Sequence, residues 1–431
     1  MPFEINDTPI IENKAAASPN LGQCSLYALN NTGGTGGGNI GIGCSAGRCI
    51  STGGCNTIVG TGAGPAITTT GCNTLVGHSA GSGTTTGYSN TYVGRAAGGL
   101  LTGSFENVAI GHRAQLAGTG DCNVVIGADA SCSAAGSSNV TVGHCAFFDS
   151  GGSRNVAVGK NAGHLRAGSG NIYIGENAGC ISTCTTGNFD SVIIGACSNC
   201  GVISCDSVAI GSQTKAGIGT VAIGYSARCG ANRGCGSIAI GYNAMLLEDR
   251  GGIEDAGFAN IAVGYCAMSS LTTGSDNIAF GANAAAAMTG GDGNVLIGKS
   301  AGCDITIENG NTAIGNETRA FGPNNVALGL NARATWRGVA IGSNARCGAT
   351  CGCGSVAIGY NAMCLENRAG PSLDSPGFSN IAIGYCALPF LTTGYSNVVA
   401  GVNAGGSVTC GASNVLIGNG AGCDITSEFG N

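Results

Sequence analysis

The chain has 431 residues, with 81 glycines, 24 cysteines, 9% charged residues and a formal net charge of −6. Ordinary domains carry about a quarter charged residues and about 7% glycine, so this is not an average globular composition. No run of about 18 apolar residues spans a bilayer, and an apolar content of 43% argues against disorder. Glycine does not fall at every third position, which excludes collagen, and the 17 basic residues are too scattered to form a nucleic-acid face.

The N-terminal segment, residues 1–38, is non-repetitive. Its opening, MPFEINDTPIIENKAAASPN, has neither a basic n-region nor an apolar h-region, so no secretory signal peptide is read there. The expected role of this segment is attachment, or covering the first exposed turn of the rest of the chain.

Residues 39–431 are a repeat array. The signature is Asn, a β-branched residue, any residue, Ile, Gly, two more residues and Ala, as in NVAIGHRA at 107–114. Its glycine recurs 23 times, from Gly43 to Gly418, mostly 16 or 17 residues apart. Three residues before it, every copy has Val, Ile or Thr; one before it, every copy is apolar. Four before it, 17 copies have Asn, and three after it, 20 have Ala. β-Branched residues at alternate positions fit a pleated strand with one buried face. Glycine permits the backbone to turn where the strand ends, and stacked Asn amides can bond along the axis. One strand per repeat stacked on its neighbours predicts an all-β parallel β-solenoid of about 23 turns with a 16–17-residue period.

The residue two before the glycine is expected to face outward, yet it is Ala in many copies and Ile58, Leu75, Val125, Ile193, Leu296, Val399 or Leu416 elsewhere. Strands apolar on both sides are usually buried on both. A lateral homo-oligomer is therefore expected.

The repeat's N-[ST]-V-A-I-G strand with a small residue following resembles the head repeats of trimeric autotransporter adhesins, and its variants NIAIGYCA at 380–387 and TGYSNVVAG before Val402 resemble more closely the arrays of phage and giant-virus tail-fibre proteins. That resemblance covers 39–431 and implies a trimeric, β-solenoidal, structural or adhesive protein. The chain departs from it in its longer period and in having no coiled-coil stalk, membrane anchor or chaperone domain after the array. Within the array, 221–311 recurs as 339–431. Asn431 corresponds to Asn311, which opens the next strand, so end-to-end stacking on another chain, or a removed cap, is expected there.

In chain order, the chemical candidates begin with His78, His112 and His144, each one residue after the repeat glycine. Two turns of separation, about 10 Å by strand spacing, keep them from sharing a metal ion, and no metal or cofactor is expected. Cysteine pairs that meet in one turn are Cys200/Cys205, Cys229/Cys235 and Cys347/Cys353; Cys55/Cys72 would link successive turns. These are candidate disulfides, or alternatively small apolar fillers of tight corners. Tyr225, Tyr242, Tyr265, Tyr360 and Tyr385 share the histidine column and form a candidate binding row for glycans or a partner chain, or simply stacked surface aromatics.

Gly293-x-x-x-x-Gly298-Lys299-Ser300 fits the phosphate-cradling P-loop pattern, but its wildcards are the repeat's Asn and strand, and no helix pattern comes after it. No acid–base pair, nucleophile elbow or triad spacing is found, so an enzyme is not expected. The expected function is a self-assembling fibre, spike or filament subunit on a virion or cell surface, reaching a host receptor or glycan through the enlarged loops at 243–260 and 361–380. The alternative is a soluble ice- or glycan-binding module, prompted by Thr-rich runs such as ITTTG and GTTTG.

Overall fold

A computed structural model of the chain describes residues 38–117, 119–165, 168–180, 188–199, 206–230, 235–247, 258–348, 353–364 and 378–430. The enlarged loops at 243–260 and 361–380 and the N-terminal segment lie largely outside these residues. The described chain is all-β, without a helix, and coils as a parallel β-solenoid with a period near 17 residues. It divides into two compact units, Met1–Gln213 and Thr214–Asn431.

The first unit carries eleven repeat strands, from Ile40–Ile42 to Val208–Ile210, and the second twelve, from Val221–Ile223 to Val415–Ile417. Each is three residues long, and within each unit successive strands pair in parallel one turn apart, as in Val108↔Val124 and Ile278↔Val295. Every described copy of the signature is thus a strand. The coil makes about 19 turns rather than the 23 expected, and three of the 22 intervals between signature glycines, 211–224, 315–329 and 329–342, are trimmed to 13 or 14 residues. In the shortened turns the return side is extended, and Arg319–Phe321 pairs with Arg333–Thr335. The Arg333 guanidinium lies 4.3 Å from the Phe321 ring centroid, a cation–π contact.

The strands are three residues long because of what bounds them. The signature glycine ends each strand at φ near +135°, as in Gly111 at +137°. A Cβ on Gly111 would lie 2.5 Å from the Gly127 carbonyl oxygen of the next turn, so bulk is excluded as well as backbone strain. The chain then turns through left-handed corners two and four residues after the glycine and five before it, as at Asp129 (φ 54°), Met245 (φ 47°) and Cys122 (φ 58°). A non-glycine residue costs about 1 kcal/mol or more in that region. Turn-to-turn hydrogen bonds offset this: Asp129 N–H donates to His112 O at 2.9 Å and Cys122 N–H to Phe105 O at 3.0 Å.

Inside the coil runs the asparagine ladder. Asn73 N–H and Nδ2 both donate to Asn56 Oδ1, at 3.0 and 3.1 Å, and Nδ2 also donates to Gly87 O at 3.1 Å. Asn90 repeats the arrangement on Asn73, and Asn294 on Asn277. These amides are fully buried, and an unsatisfied buried polar group costs about 1–3 kcal/mol, so where successive copies carry Asn the ladder fixes each turn on the one before.

The two faces of the strand are exchanged relative to the sequence expectation. The residue two before the glycine points inward: Ile58, Leu75, Ala109, Val125, Ile193, Leu296 and Val399 are all 0% exposed. The β-branched residues on either side of it point out, and Ile110, Ile126, Ile240 and Ile314 are among the exposed ones. The physical reason is the narrowness of the coil. One inner residue per strand must share the interior with the residue four after the glycine, and the two compensate in volume. Where the first is Leu75, Tyr92, Tyr173 or Leu296, the second is Gly81, Gly98, Gly179 or Gly302; where the first is Ala239, Ala262, Ala357 or Ala382, the second is Met245, Met268, Met363 or Leu388. A Cβ on Gly302 would lie 2.7 Å from Leu296 Cδ2. Arg228 and Arg346 fill the same position opposite Ala222 and Ala340, and Arg346 Nη2 donates to Thr335 Oγ1 at 3.0 Å.

Candidate functional site

With the interior closed by its own residues, chemistry is left to the outward strand face and the corner columns. The outward face presents two columns, one and three residues before the glycine, of Val, Ile and Thr with Phe280, Leu328 and Ala400. Neighbouring strands are about 4.8 Å apart and three residues span about 10 Å, so the eleven strands of the first unit offer a flat strip of about 500 Å². The largest apolar patch on an ordinary monomer is about 300–600 Å² and is often functional. The apolar second face read from the sequence therefore exists, made by the opposite columns.

The tyrosine columns stack. Tyr225–Tyr242 and Tyr242–Tyr265 have ring centroids 5.3 Å apart with interplanar angles of 13° and 7°, and Tyr360–Tyr385 is 5.3 Å at 15°. A sugar between two rings would need about 3.5–4 Å on each side, so the inner ring faces are closed to one. The rows show edges and hydroxyls, and open ring faces occur at their ends, where Ala282 succeeds Tyr265 in the column and Val402 succeeds Tyr385. Tyr265 and Tyr385 are also the most exposed members, at 56% and 53%.

Cys229, Cys235, Cys347 and Cys353 are present as thiols, while Cys200 and Cys205 lie outside the described residues. Cys347 Sγ donates to Cys364 O in the next turn at 3.4 Å. The threonine runs bond along the axis: Thr272 and Thr392 hydroxyls donate to Thr289 and Thr409 carbonyls at 2.8 Å. Their protons are committed within the coil. At the P-loop pattern, Val295–Ile297 is a strand, Asn294 is buried in the ladder, and Gly298 has φ +133°. Its backbone donors face neighbouring turns instead of an anion: Val295 N–H reaches Asn311 O at 2.7 Å and Gly298 N–H reaches Phe280 O at 2.7 Å.

The histidines do not come together, but His144 does not stand alone. Asp129, His144 and Cys145 place one ligating atom each within 4.8 Å of the others. Asp129 and Cys145 occupy the left-handed corner two after Gly127 and Gly143, one above the other on successive turns. Sequence reasoning considered each column separately and missed a cluster formed across two of them. Spacing modulo one turn would have revealed it. Nearby, burial pushes the Cys145 thiol up, with Asp129 adding to it. His164, stacked on Phe148 at 5.4 Å, is held below the ordinary histidine value by burial, which outweighs the opposing charge of Asp149.

The chain matches no protein-family model and no curated protein in sequence.

Proposed function

We propose that the protein is a self-assembling structural subunit, a rigid β-solenoid that packs laterally on further copies of itself, a trimer being the expected assembly, within a fibre or spike on a virion or cell surface. The observation that carries this reading is the outward strand face: a regular, charge-free strip built mainly of Val and Ile, with Thr at some strands, on a coil whose interior is filled by its own residues. A second copy is the occupant that fits it best, because its own strip offers the same flatness and the same spacing of about 4.8 Å. Recognition of a host receptor or glycan belongs to exposed loops and to the row-end tyrosines, Tyr265 and Tyr385. Negative-stain electron microscopy with analytical ultracentrifugation tests it. Discrete trimers or filaments are expected; a monomer at micromolar concentration would refute it.

A soluble ice- or glycan-binding module is the second reading. It is favoured by Thr57, Thr74 and Thr91, aligned on adjacent strands of the outward face. An ice-recrystallisation assay on monomeric protein separates it from the first.

A further inference from the structure

We propose that Asp129, His144 and Cys145 form a zinc-class metal site on the outer corner of the first unit. The three donors come from two successive turns and lie within 4.8 Å of one another. Cys145 Sγ and His144 Nε2 are 3.8 Å apart. A tetrahedral zinc ion with Zn–S about 2.3 Å and Zn–N about 2.05 Å would separate them by about 3.6 Å, so this pair needs only a small rotation of the exposed His144 ring against the half-buried Cys145.

The scaffold holds the donors before any ion arrives. Asp129 N–H donates to His112 O at 2.9 Å and Cys145 N–H to Ala128 O at 3.1 Å, which fixes both left-handed corners in the turn-to-turn stack. Arg113, two residues after the preceding signature glycine, sets the carboxylate with Nε 3.0 Å from Asp129 Oδ1. Such outer-shell bonds to a ligand are a regular part of metal sites. Arg113 Nη2 also reaches Cys132 Sγ at 3.7 Å, so a second sulfur borders the cluster. The cation at Lys160, in the His144 column one turn on, is turned toward Glu176 at 3.4 Å.

The donor set selects the metal. One thiolate, one imidazole and one carboxylate suit zinc and its spectroscopic substitute cobalt(II), whereas calcium and magnesium take oxygen donors. Three protein ligands leave one coordination position for water or an external ligand, as in open zinc sites.

The test titrates cobalt(II) into the full chain under anaerobic, reducing conditions and follows the thiolate-to-metal charge-transfer and tetrahedral ligand-field bands. Because other cysteines are present, the readout is the difference between wild type and D129N, H144A and C145S, with C266S as a cysteine control away from the cluster. Each of the three is expected to lose one equivalent of high-affinity binding, with affinity at that site reduced at least about 10-fold, the loss that even outer-shell partners cause. C266S is expected to bind as wild type does. Zinc competition should displace the bound cobalt, and thermal melts of the metal-free variants should match wild type. Identical cobalt spectra and stoichiometry in wild type and all three variants would overturn the proposal.

Discussion

The Tyr92 ring occupies the space that a side chain at Gly98 would need: a Cβ there would lie 2.5 Å from ring carbon Cδ2. Both belong to one turn, and neither Tyr92 nor its neighbours on the inner column have solvent to retreat into. Burial accordingly pushes the Tyr92 phenol well above its ordinary range, against a lowering hydrogen bond with Asn107. Gly98→Ala is expected to destabilise by about 1–3 kcal/mol, the usual cost of overpacking. The double change Tyr92→Ala with Gly98→Met, which copies Ala239 and Met245, should recover most of that loss. Urea denaturation of Gly98→Ala, the double variant and its two single components, Tyr92→Ala and Gly98→Met, checks it; additive losses in the double variant would count against volume sharing.

The asparagine ladder predicts steep, position-independent sensitivity. Asn294 donates through Nδ2 to Asn277 Oδ1 at 2.9 Å and to Glu308 O at 2.9 Å, and its Oδ1 accepts from Asn311 N–H at 2.9 Å. Asn294→Ala strands buried partners and should cost at least about 2 kcal/mol, at 1–3 kcal/mol for each unsatisfied group. Asn294→Ser should cost less, since Ser237 holds Asn260 N–H through its hydroxyl at 3.3 Å. Thermal melting ranks the two.

Outward substitutions should act on assembly and leave the coil intact. Ile110→Lys and Ile126→Lys place charges on adjacent strands of the exposed strip, a device that blocks strand-face and edge association. Sedimentation should shift to monomer while the melting temperature moves little, because surface changes usually stay within about 0.5 kcal/mol. Retained oligomers would locate the interface elsewhere.

Acid should weaken the fold near His164. Its folded value is depressed, so the unfolded chain binds the proton more readily. Stability is therefore full above the ordinary histidine value of about 6.5 and declines as pH falls through the depressed folded value. His164→Phe keeps the stack on Phe148 and removes the proton. Melting curves between pH 7.5 and 5 should show a shallower decline for the variant.

Much of the architecture was legible because the repeat fixes it: the signature columns at Asn73, Thr74, Val76 and Gly77 specify a strand, its bounding turn and its stacking partner. Sidedness was not legible from those columns. Val and Ile at alternate positions favour a pleated strand whichever face is buried, and Val108 and Ile110 proved to be the outer pair around Ala109. The signal that settles the faces is longer range, the exchange of volume between Leu75 and Gly81 or Ala239 and Met245, six residues apart. The metal cluster was hidden for a related reason. Asp129 and Cys145 are neighbours only once the chain is wrapped, 16 residues along.

Gly163 carries a last consequence. Its own turn gives the interior the small residues Ala157, Ala162 and Gly163 beside Asn155, and the room is taken by Phe147 and Tyr173, whose ring carbons would lie 3.1 and 2.7 Å from a Cβ there. Blocks of several turns can be copied whole, as the recurrence of 221–311 at 339–431 indicates. The turn at Gly163 is instead shared by both neighbours. Excising it would leave two aromatic rings competing for one space, which makes this stretch a fixed joint in an otherwise extensible coil.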